Sequence, residues 1–158
     1  MFDRLLPRNI DNSYRGRRLA LWLFAVVVFM KTSIGLGTIF NGYHAAVTAD
    51  GIPLDTFTPA GGQAFVSIFA AWGLAQVTIG LLCILVLLRY RAVVPFMFAL
   101  LLLEHLARKL IFFVMPIPRS GDAPGVLINL ALVALMVLGL ALSLWNRENS
   151  RSEGRTNS

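Results

Sequence analysis

Residues 64–88 read AFVSIFAAWGLAQVTIGLLCILVLL, a stretch without a charged side chain whose polar interruptions are Ser67, Gln76 and Thr78. At 1.5 Å per residue, a helix of this length crosses a hydrocarbon layer of roughly 30 Å. Three further blocks of similar length flank it, at about 19–40 (opening LALWLFAVVVFM), about 92–115 and about 124–145. The last begins at Pro124, where a helix tolerates a proline, and Pro95 falls in the first turn of the third block. The expected fold is therefore an all-α integral membrane protein, a four-transmembrane-helix bundle. It lies between a basic N-terminal arm, 1–18, and a mobile polar tail, 146–158.

Composition agrees with this. Of 158 residues, 57% are hydrophobic and 14% charged, and mean hydropathy is +0.72. That charged fraction falls well below the roughly one quarter of soluble domains, which excludes a soluble single domain. The single cysteine, Cys83, excludes an internal disulfide, a cysteine-based zinc site and a two-thiol redox centre within one chain. Its expected role is helix packing.

Orientation follows from the basic residues, which cytoplasmic loops retain. Arg4, Arg8, Arg15, Arg17 and Arg18 precede the first span, Arg89 and Arg91 join the second to the third, and Arg147, Arg151 and Arg155 follow the fourth. The intervening loop GYHAAVTADGIPLDTFTPAGGQ (42–63) has no Lys or Arg, and the short third loop has Arg119 beside Asp122. Both termini are thus expected in the cytoplasm, with Trp22, Tyr90 and Trp145 at the inner interface and Tyr43 at the outer one. The first span reads as a retained signal-anchor. A net charge of +6 is accounted for by this topology and by attraction to anionic lipid headgroups, so no nucleic-acid partner is expected.

The chemistry-bearing residues are those a bilayer rejects: Lys31, Gln76, Glu104, His105, Arg108, Lys109 and Asn129. Counted from the cytoplasmic boundary, Lys31, Gln76 and Glu104 each fall at a depth of roughly 18 Å. An unpaired charge at that depth costs at least a few kcal/mol, so Lys31 and Glu104 are expected to pair, with Arg108 one turn along as a competing partner. Arg108 and Lys109 fall in the outer half, within reach of headgroups, and Asn129 is positioned to accept a hydrogen bond from Arg108. His44 and His105 lie at different depths and do not make a bis-histidine haem site, and Asp55 lacks the companions a calcium site needs. Neither a metal nor a resident cofactor is expected. Gly35, Gly37, Gly73 and Gly80 are expected to let helices approach closely, and Asp50-Gly51 with Pro53, Pro59, Gly61 and Gly62 to shape the first outer loop.

With Lys31 and GLGTIFNG (35–42), ADGIPLDTF (49–57) and GLAQVTIGLL (73–82), the chain resembles small DoxX-type membrane proteins over about half its length. The resemblance implies a four-span protein of a bacterial inner membrane with a redox partner. EHLARKL (104–110) is not part of it.

Two readings follow. In the first, the chain is a non-enzymatic accessory or assembly module whose polar layer clasps the helices and whose partner is a membrane oxidoreductase or a second copy. In the second, Glu104, His105, Arg108 and Lys109 serve proton-coupled transport or quinone-linked electron transfer, Glu104 and His105 forming a protonatable pair.

Overall fold

The computed structural model describes residues 11–14, 16–120 and 124–145, so the expected tail, 146–158, lies outside the described residues. Among these all regular structure is helical, with no strand. Four long helices carry it: α1 (Arg18–Phe40), α2 (Pro59–Arg89), α3 (Val94–Val114) and α4 (Gly125–Leu144). α1, α2 and α4 are long and apolar enough to cross a membrane. α3 has comparable length, 21 residues, and carries Glu104, Arg108 and Lys109.

α2 begins five residues before the expected boundary. Thr58 caps it, its Oγ1 accepting from Gly61 N–H at 3.2 Å, and Pro59 occupies the first helical turn, where its missing N–H costs nothing. Pro59, Gly61 and Gly62 thus belong to the helix start, whereas the sequence had suggested a loop. With 31 residues, α2 is about 46 Å long, more than the roughly 30 Å of a hydrocarbon core, so part of it projects beyond one.

Around the bundle the helices follow the order α2, α1, α4, α3, with α3 touching α1 and α2 lightly. Where α1 crosses α2 the backbones meet. A Cβ on Gly35 would lie 2.9 Å from Gly73 O, and one on Gly73 would lie 2.8 Å from Gly35 O. Gly80 takes the side chain of Thr32 against its own Cα, while Gly37 has nothing within 4 Å and plays no part in the crossing. On the other flank, Phe24 meets Phe98 edge-on at 5.0 Å, and the Phe98 ring fills the space a Cβ on Gly139 would take. Cys83 is buried in this same core. Between helices in lipid, such interlocking replaces the hydrophobic effect as the source of association.

The two ends of the bundle differ. At one, Arg17 N–H donates to Leu142 O at 3.3 Å, the Arg17 guanidinium lies over Trp145 at 5.1 Å, and Ala92 N–H donates to Asp11 O at 3.3 Å. The start of α1, the end of α4 and the α2–α3 connection therefore share one end, and the described part of the N-terminal arm is docked there. At the other end, helical residues 42–49 run on from α1 and stop at Gly51, whose left-handed φ of 66° turns the chain. Ala46, Ile52 and Leu54 then pack against Phe65, Phe69 and Ile117, and Ser120 N–H donates to Gly51 O at 2.8 Å. The result is a cap that ties the first and third loops together over the projecting part of α2.

Candidate functional site

Three helices deliver long polar side chains to one level. Lys31 on α1 is buried, and its Nζ donates to Glu104 Oε2 on α3 at 2.6 Å. Gln76 on α2, also buried, donates through Nε2 to Glu104 Oε1 at 3.0 Å. Each carboxylate oxygen is thus held by a donor from a different helix. A paired, hydrogen-bonded carboxylate escapes most of the penalty that a lone one would meet in an apolar interior.

The competing partner goes elsewhere. Arg108 lies one turn beyond Glu104, and its guanidinium sits over the Trp72 ring at 4.8 Å while donating to His105 Nδ1 at 2.9 Å. The antiparallel register of α2 and α3 explains this: four residues back from Gln76 on α2 faces four residues on from Glu104 on α3. A guanidinium only donates, so Nδ1 of His105 accepts and the ring proton is assigned to Nε2. That Nε2 is buried and has no partner among the described residues.

Asn129 does not assist Arg108. It is half-buried on α4, and its Nδ2 donates to Gly125 O at 2.7 Å, satisfying a carbonyl of its own first turn. The expectation that Asn129 accepts from Arg108 is corrected accordingly: the Arg108 guanidinium is taken up by Trp72 and His105, and no hydrogen bond joins it to Asn129. Lys109 is exposed. Glu104 and His105, adjacent in sequence, point to different partners and make no hydrogen bond with each other.

Sequence reasoning overlooked Trp72 as a member of the layer. Its signal was the register: pairing Glu104 with Gln76 across antiparallel helices places Arg108 opposite Trp72. From Trp72 an aromatic ladder climbs α2 to the cap, with Trp72 stacked on Phe69 at 5.4 Å, Phe69 on Phe65 at 5.7 Å, and Phe65 edge-on to Phe57 at 6.1 Å. Near the cap, burial holds the Asp50 carboxyl above the ordinary aspartate range, with Arg119 and Arg108 offsetting part of that rise.

Chemically, the two groups differ. Lys31 and Gln76 each spend a donor on Glu104, one on each carboxylate oxygen, which favours the ionised carboxylate. Arg108 and Lys109 are cations that reach no carboxylate within 4 Å among the described residues. Among the same residues, no three His, Cys, Asp or Glu side chains come close enough to hold a metal ion. Compared with models of known families, with curated proteins and with solved structures, the chain finds no match.

Proposed function

We propose that this chain is a four-span protein of a bacterial inner membrane, with both termini in the cytoplasm, and that it works as a non-enzymatic accessory or assembly module. The observation that carries the reading is the double occupation of Glu104, by Lys31 from α1 and Gln76 from α2. A carboxylate so held is a clasp that fixes the register of three helices rather than a station in a proton path. The clustering of Arg17, Arg91, Tyr90 and Trp145 around one end supports a common side for both termini, and the basic character of that end supports the cytoplasmic side. α3 completes the span count, because its charges turn toward partners in the bundle or lie within snorkelling reach of its outer end. The protein partner in this reading is a membrane oxidoreductase or a second copy.

Reconstitution into liposomes tests the reading. Wild type and Glu104→Gln are expected to leave an imposed proton gradient equally intact, while the variant unfolds at a lower temperature in detergent. Proton flux through the wild type that Glu104→Gln abolishes would overturn the clasp in favour of a relay.

A further inference from the structure

The charges of α3 do not balance. Glu104, its sole carboxylate, is held by Lys31 and Gln76, and Asp50, the other carboxylate near Arg108, forms no ion pair with it within 4 Å. Two cations, successive in sequence on the outer part of the helix, therefore make no ion pair within 4 Å among the described residues. Both are kept in reach of the surroundings: Arg108 is half-buried with its guanidinium carbon 4.8 Å above the Trp72 ring centroid, and Lys109 is exposed. From Lys109 onward α3 is exposed on every face, through Leu110, Ile111, Phe112, Phe113 and Val114, so an amphiphile can approach the cations from the side. Arg108 is about 9 Å and Lys109 about 7.5 Å from the end of α3, a depth from which long basic side chains reach the headgroup level.

We propose that Arg108 and Lys109 form a phosphate-binding site, with Trp72 holding the guanidinium in place, and that the phosphate is that of an anionic phospholipid headgroup. The planar, multi-donor guanidinium binds two phosphate oxygens at once, and the ammonium adds a point charge beside it. Trp72 keeps the guanidinium from folding back toward Glu104, and the exposed apolar end of α3 lies where the acyl chains run. This inference rests on the membrane placement proposed above, and it adds a ligand to a surface the clasp does not use.

Trp72 reports on its own site once Trp22→Phe and Trp145→Phe remove the other two tryptophans. The full-length protein is reconstituted into phosphatidylcholine vesicles containing increasing amounts of phosphatidylglycerol brominated on the acyl chain near the headgroup, or of phosphatidylcholine brominated in the same way. Trp72 quenching is expected at a lower mole fraction of the anionic lipid, with the preference falling about fivefold for each cation removed, in Lys109→Gln and then in Arg108→Gln/Lys109→Gln. Arg108→Lys, which keeps the charge and loses the two-point grip and the seat on Trp72, is expected to fall between the parent and the Gln variants. Since Lys109 is exposed, Lys109→Gln folds as the parent does and gives a clean reading. Equal quenching by both lipids, or a preference unchanged in both Gln variants, would overturn the site. Loss of the preference on adding millimolar inorganic phosphate would overturn the lipid as the source of the phosphate. Failure of the parent to enter vesicles at all would instead overturn the membrane placement.

Discussion

Along α1 and α2 the backbones touch, at Gly35 and Gly73, whereas α2 and α3 are joined through side chains, Gln76 to Glu104 and Trp72 to Arg108. The first seam is made by leaving atoms out and is damaged by adding one. The second is made by long polar groups that bridge a wider gap and is damaged by taking one away. In an apolar medium both are economical: close backbone approach gains dispersion, and a bridging ion pair neutralises charges that neither helix tolerates alone. The difference also separates two kinds of information. The glycine seam fixes how near α1 and α2 lie, and the polar seam fixes the vertical register of α3 against them.

Substitutions on the two seams should therefore differ in size. The largest effect is expected from Glu104→Leu, which strands the buried Lys31 ammonium, at about 3–5 kcal/mol of unfolding free energy. Reversible denaturation in mixed micelles, followed by helical circular dichroism, measures it. Next comes Gly73→Ala, whose new methyl meets Gly35 O. Overpacking there is expected to cost about 1–3 kcal/mol in the same assay. Trp72→Leu removes the platform under Arg108 and leaves the clasp intact, so a loss of about 0.5–2 kcal/mol is expected. Gly37→Ala serves as the control for the glycine seam: with nothing within 4 Å, the new methyl gains about 0.5–1 kcal/mol of helix propensity or changes nothing.

The smallest effect is a slope. Burial raises Asp50 above the ordinary value near 3.8, so the folded protein binds its proton more readily than the unfolded chain does. Stability from this group is present in acid and is lost as pH rises from about 3.8 through the raised value. Asp50→Asn is expected to flatten thermal stability across that window, which a melting series at stepped pH detects.

Four helices were legible in the sequence as long, mostly apolar runs, three of them long and apolar enough to cross a membrane, and the contact of Lys31 with Glu104 was legible from matched depth and opposite charge. Depth is a one-dimensional quantity. It does not say which helix neighbours which, so the order α2, α1, α4, α3 had to come from the structure. The same limit hid Trp72, whose partner follows once α2 and α3 are known to run side by side. It also misdirected Asn129, whose depth matched Arg108 while its amide found Gly125 O within its own helix. The start of α2 was misread for another reason. Thr58-Pro59 signals a helix cap as well as a turn, and the cap over the bundle end, built from Ala46, Ile52 and Leu54, gives that projecting turn something to pack on.

The most direct test of the clasp is a double-mutant cycle on Lys31→Met and Glu104→Gln, with unfolding free energy measured in mixed micelles for the parent, both single variants and the double. A clasp predicts that each single change destabilises and that the double recovers much of the loss, a coupling of about 1–3 kcal/mol. Additive losses, or a Glu104→Gln variant more stable than the parent, would contradict it and mark Glu104 as a group held for chemistry rather than for the fold.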